Sequence, residues 1–171
     1  MSFSWDAFIV PASDEEAFGR VKKWDRSAVL LPGGFARVYK NSGTDWAEPG
    51  AGTKLSREFG EAWFLFAHTT STVFAYDHSR AGKILRSLAY SGDEGWIVAE
   101  GVPEYWWEGV LFEERQIALG ETMVLDEPDE KRWPRELEAL RDKKIVVGHM
   151  LPAPDPTLVL LIAQRLGTQL I

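Results

Sequence analysis

The sequence predicts an α+β domain: a central antiparallel sheet, a meander of about five to seven strands, with N-terminal and C-terminal helices packed on one face. Three observations carry this expectation. Four β-rich runs crowd residues 62–100, separated by loops of three to five residues that are too short for a parallel crossover. Helix-start signals stand at both ends of the chain, a capping box near one and an Asp-Pro pair near the other. The 171-residue length fits one domain, 1–171, with no repeat, low-complexity tract or long linker to divide it.

The elements follow in order. "DAFIVPA" (6–12) reads as a short strand. Ser13 with Glu16 forms a capping box, opening a helix through Trp24 whose inward stripe is Ala17, Phe18, Val21 and Trp24. "SAVLL" (27–31) and "FARVY" (35–39) are strands about a turn at Pro32-Gly33-Gly34. "NSGTDWAEPGAG" (41–52) is turn chemistry throughout and is the expected mobile loop, and "KLSREFG" (54–60) supplies one or two helical turns. The meander is "AWFLFAH" (62–68), "TVFAYDH" (72–78), "KILRSLAY" (83–90) and "WIVAE" (96–100). Pairing Tyr90 with Trp96 sets Arg86 opposite Glu100, and a one-residue slip would turn every side chain to the other face.

The stretch "VPEYWWEGVLFEE" (102–114) concentrates two tryptophans, a tyrosine and four glutamates. As a strand over 105–112 it puts Tyr105, Trp107, Gly109 and Leu111 on one face and Trp106, Glu108, Val110 and Phe112 on the other. Only one face packs on the helices, so one of the two tryptophans is expected at the surface or under a loop. "GVLFEERQIALGETMVLDE" (109–127) supplies one or two further strands, and "DEPDE" (126–130) is a charged turn. Pro134 to Lys144 reads as a helix, and "KIVVGHM" (144–150) as a strand or a buried extension. Asp155-Pro156 opens a last helix, "TLVLLIAQR", apolar nearly all round and therefore buried, with Gly167 as its C-terminal cap.

Composition narrows the chemistry. The absence of cysteine removes disulfides, thiolate nucleophiles and Cys-ligated metals. Eight tryptophans, nine phenylalanines and four tyrosines imply an aromatic-rich core, an aromatic-lined site, or both. The start lacks a basic n-region, and no apolar run approaches the roughly 20 residues needed to span a bilayer, so a cytoplasmic protein without membrane contact is expected. Net charge is −7, and residues 91–130 alone hold twelve acids and one base, a field that repels nucleic acid and steers basic partners inward.

No motif supplies a catalytic centre. His68 and His78 sit at opposite ends of a hairpin and do not share a metal. Asp77-His78-Ser79 names a triad in a row, but successive strand residues point to opposite faces. "GAGTKL" (50–55) lacks phosphate-loop spacing, and "DEPDE" lacks that of an EF-hand. No cofactor or metal is therefore assigned.

The leading expectation is a non-enzymatic, soluble protein-binding module with a basic protein partner, similar only in composition to small acidic inhibitors of basic toxins. Its contact residues are Tyr105, Trp106 and Trp107 as aromatic anchors, rimmed by Glu104, Glu108, Glu113 and Glu114. A small-ligand domain or small hydrolase using paired carboxylates in a cleft beside the 41–52 loop is the second reading. A structural subunit of a homo-oligomer is the third.

Overall fold

Neighbouring strand residues such as Phe64 and Leu65, or Ala75 and Tyr76, are both buried, so both faces of the sheet are apolar and each needs a cover. A computed structural model describes residues 2–39, 45–126 and 132–167. Seven strands, β1 (Ser4–Pro11), β2 (Val29–Leu31), β3 (Phe35–Val38), β4 (Glu61–His68), β5 (Val73–Arg80), β6 (Lys83–Ser91) and β7 (Gly95–Gly101), form one sheet in the order β2-β3-β1-β4-β5-β6-β7. All neighbouring pairs are antiparallel, and β4 to β7 are the expected meander. The α+β class with a central antiparallel sheet holds.

The helices divide between the two faces instead of gathering on one. Helices α1 (Glu15–Trp24) and α2 (Thr53–Phe59) bring Val21 and Leu55 onto Phe8, Val10, Phe64, Ala75 and Val98. The other face, built on Trp63, Leu65, Phe74, Tyr76, Leu88 and Trp96, takes the rest: α3 (Tyr105–Glu108), α4 (Glu114–Asp126), α5 (Arg132–Arg141) and α6 (Leu158–Arg165). Asp14, not Ser13, caps α1, its Oδ1 accepting the Ala17 N–H at 2.7 Å. A carboxylate there both fills an orphan donor and complements the positive helix end.

Tyr90 does pair with Trp96, but the ladder shifts between Ala89 and Tyr90, where Ala89 faces Val98. This bulge slides everything beyond it by one residue. Glu100 therefore faces Ser87, and Arg86 stands opposite Gly101 rather than Glu100. Arg86 is left to find another partner.

The largest departure is at 105–126, where no strand forms. Helix α3, a 3₁₀ turn over Gly109–Phe112 and α4 follow one another. Trp107, Glu108, Leu111, Phe112, Gln116 and Gly120 are the buried positions, recurring at three- and four-residue steps. The adjacent residues Trp107 and Glu108 both pack on one face of the sheet, against Tyr76 and Arg86, which a strand would forbid. Residues 41–44 of the predicted mobile loop and 127–130 of "DEPDE" lie outside the described residues.

Helix α5 ends in a Schellman turn: Lys143 N–H donates to Leu140 O at 3.1 Å and Lys144 N–H to Ala139 O at 2.9 Å. The left-handed position of that turn is Lys143, at φ +56°, where glycine is the unstrained residue. Lys143→Gly should raise stability by about 0.5–1 kcal/mol, the relief of left-handed strain less the added chain entropy. Thermal unfolding checks this; a lowered Tm would contradict it.

The chain from 144 to 150 is neither strand nor buried, with Val147 exposed, yet it lies along β7. Gly148 N–H donates to Trp96 O at 2.8 Å, and Trp96 N–H to His149 O at 2.9 Å. At the opposite edge, among the described residues, no strand covers β2, and its Val29 and Leu30 are exposed. Asp155 Oδ1 accepts the Thr157 N–H at 2.9 Å just ahead of α6, whose Leu158, Val159, Ile162 and Ala163 are buried. Gly167, at φ +85°, follows the helix as expected. Among the described residues no helix is long and apolar enough to cross a membrane.

Candidate functional site: the 102–108 knuckle

Gly101 ends β7 at φ +87°, and a Cβ there would lie 2.0 Å from Leu85 O. Only glycine lets the chain turn so tightly against β6. The turn, held by Val102 N–H donating to Leu85 O at 3.1 Å, sends residues 102–108 back over the sheet face. These residues then sort by direction. Val102, Tyr105 and Trp106 are 76, 61 and 40% exposed, while Trp107 and Glu108 are at most 1% exposed.

Glu108 is the partner that the bulge leaves for Arg86. Its carboxylate accepts from Arg86 Nε at 2.7 Å and Nη2 at 2.8 Å, a two-pronged pair closed off from solvent. The same carboxylate accepts the Glu104 N–H at 2.9 Å, locking the start of the knuckle to its end. Arg86 Nη1 also donates to Gly101 O at 3.2 Å, so one guanidinium holds both flanks of the turn.

Glu104 reaches inward beside this pair. It accepts from the Tyr76 hydroxyl and bonds His78 Nδ1. The other ring nitrogen, His78 Nε2, lies 2.7 Å from Glu61, whose carboxylate also accepts from Arg80 Nη2 at 2.8 Å. The imidazole stacks on Trp63 with centroids 4.7 Å apart. Burial alone would lower the His78 pKa, but its hydrogen bonds and charge attraction to Glu104 and Glu61 outweigh this and raise it above the usual histidine value. Burial would raise Glu104, yet the His78 and Tyr76 hydrogen bonds hold it below the usual carboxylate value. Tyr76 is pushed well up by burial and by the Glu104 charge. With both nitrogens turned to carboxylates, the ring is committed to holding the chain and has no lone pair free for a metal while protonated.

The predicted site residues thus separate. Tyr105 and Trp106 face solvent, and Trp107 packs on Phe74 and Tyr76 at centroid distances of 6.0 and 4.6 Å. Glu104 and Glu108 point into the fold instead of rimming the aromatics. Glu113 and Glu114 remain on the surface, Glu113 lying 4.0 Å from Arg115. Basic groups also border the knuckle: Arg165 donates to Trp106 O, and Lys143 and Lys144 line a cavity of about 450 Å³ with Tyr105, Ile145 and Val146. The surface is aromatic and of mixed charge.

Glu61, Tyr76, His78 and Arg86 were not singled out as site residues in the sequence. Their one signal is that polar groups interrupt apolar strands at positions that register then aligns: His78 faces Trp63 on one side and Arg86 on the other. Asp77 and Ser79 do share a face, but the other one. Ser79 Oγ donates to Asp77 Oδ1 at 2.9 Å, and Asp77 accepts the Gly50 and Gly52 N–H groups, tying that loop to the sheet. Burial raises the Asp77 pKa against those hydrogen bonds. Among the described residues, no group of three or more histidines and carboxylates is arranged to hold a metal. No protein-family model matches the chain, and comparisons with curated proteins and with solved structures give no match either.

Proposed function

We propose that this protein is a non-enzymatic binding module that docks a protein partner on the knuckle formed by Val102, Tyr105 and Trp106. One observation carries the reading: three large apolar side chains are held outward on seven residues of which Glu104 and Glu108 are clamped in an ionic network and Trp107 is packed in the core. Aromatic anchors fixed before contact lose little freedom on binding, the usual property of interface hot spots. The net charge of −7 and the exposed Glu113 and Glu114 favour a partner of basic character, steered by charge and held by the aromatic contact. The cavity beside Tyr105, with Lys143 and Lys144 at its wall, favours a small amphipathic anion as the second reading.

Affinity capture from the native cell extract, using the intact chain and a Tyr105→Ala/Trp106→Ala variant, tests this. The variant should lose at least about 2 kcal/mol of affinity, roughly thirtyfold, for any specific partner. Raising salt should slow association of the intact protein. Equal capture by the double variant, with circular dichroism confirming that it is folded, would refute the docking surface.

A further inference from the structure

His78 bridges two elements that no strand pairing joins. Glu61, on Nε2, is fixed in β4 and has Arg80 as a second partner. Glu104, on Nδ1, belongs to residues 102–104, which lie in no helix or strand. Tyr76 donates to Glu104 from beneath, Arg86 stands directly opposite His78 on β6, and Glu108 of α3 neutralises Arg86. Those are the charged and titratable groups that the surrounding elements bring to the ring.

We propose that His78 is a proton-operated latch for the knuckle: the imidazolium donates to both carboxylates and holds residues 102–106 in the presenting form, and loss of one proton releases Glu104. The chemistry requires a choice. A neutral imidazole has one N–H and one lone pair, so it satisfies one carboxylate and sets its lone pair against the other. Glu61 keeps its place through the β4 ladder and Arg80. Glu104 has the Tyr76 hydroxyl and the partly exposed Trp106 ring, on a stretch outside the sheet ladder, and so it is the contact that gives way. Arg86–Glu108 and Trp107 keep α3 seated, which confines the release to the outward-facing residues.

The sign follows from linkage. The imidazole of folded His78 holds its titrating proton more tightly than the free side chain does. The latch is therefore closed at pH below about 6.5, the ordinary histidine value, and is lost as pH rises through the elevated folded value. This rests on the reading of 102–106 as the docking surface only for its biological use; the latch itself is measured without a partner.

The experiment combines histidine titration by NMR with exchange of the amides within 102–106, above all the hydrogen-bonded N–H groups of Val102 and Glu104, on the intact protein and on Glu104→Gln and His78→Gln. Residues 64–66 of β4 serve as the internal reference. In the intact protein His78 should titrate above about 6.5, and Glu104→Gln should lower that value. Exchange protection of 102–106, corrected for intrinsic base catalysis, should fall across the same titration. The fall should be about tenfold for each pH unit by which Glu104→Gln lowers the His78 pKa, because both report one coupling. Glu104→Gln should flatten the profile, and so should His78→Gln if it folds. Protection of 102–106 that stays constant through the His78 titration, or a His78 neutral at pH 6, overturns the latch. Persistence of the effect together with intact partner binding by Tyr105→Ala/Trp106→Ala would uphold the latch while removing the docking reading.

Discussion

Glu108→Ala is expected to destabilise the protein by about 3–5 kcal/mol, the cost of leaving one member of a buried ion pair without its partner. The carboxylate is about 1% exposed and its Arg86 partner about 5%, so neither charge has water to fall back on. Alanine would remove both carboxylate acceptors of the guanidinium, at 2.7 and 2.8 Å, leaving it backbone carbonyls such as Gly101 O, and would remove the acceptor of the Glu104 N–H at 2.9 Å. For a chain of this size the midpoint should drop by roughly 6–20 °C, since each kcal/mol is worth about 2–4 °C. The pair itself need not be a net gain, because its attraction offsets a large desolvation cost. Arg86→Met with Glu108→Leu should therefore recover most of what Glu108→Ala loses. Urea unfolding of the three variants decides this; a Glu108→Ala loss below about 1 kcal/mol would mean that water reaches Arg86 and the pair is not closed.

The second large effect separates two adjacent tryptophans. Trp107→Ala should cost about 3–5 kcal/mol through lost burial and the cavity left behind. Trp106→Ala should stay within about 0.5 kcal/mol, as surface changes do. Trp107 is fully enclosed and lies against Phe74 and Tyr76, which belong to β5 at the centre of the sheet. Trp106 is 40% exposed, alanine retains its carbonyl contact with Arg165, and its ring adds one hydrogen bond to Glu104, which His78 and Tyr76 also hold. Equal losses for the two variants would mean that the knuckle is packed differently from this description. The same comparison serves the docking reading, because only the harmless variant should disturb a partner.

The sheet was legible because its evidence is local. Short loops dictate antiparallel neighbours, and Tyr90–Trp96 pairing follows from the turn between them. What escaped needed information from across the fold. The extra residue at Ile97 sits opposite no partner in the ladder, and nothing in "WIVAE" marks it, so Arg86 was matched to Glu100. The helical course of 105–126 was hidden because "EYWWEGVLF" is rich in aromatic and branched residues, which favour strands. Tertiary burial at helical spacing overrides that preference. The concentration of acid around indoles was real in sequence and partial in space: Glu104 and Glu108 were drawn inward by His78 and Arg86, which lie 26 and 22 residues earlier. The exposed pair Tyr105 and Trp106 is the part that survives the folding of the chain.

The two margins of the sheet differ, and the difference limits how copies of the chain could polymerise. One flank already has Trp96 engaged by residues 148 and 149, while among the described residues no strand lies beyond β2. Endless stacking needs an adhesive border on both sides of every unit. Two copies joined along β2 would consume the open seam that the described residues of each present, so such growth would stop at a pair.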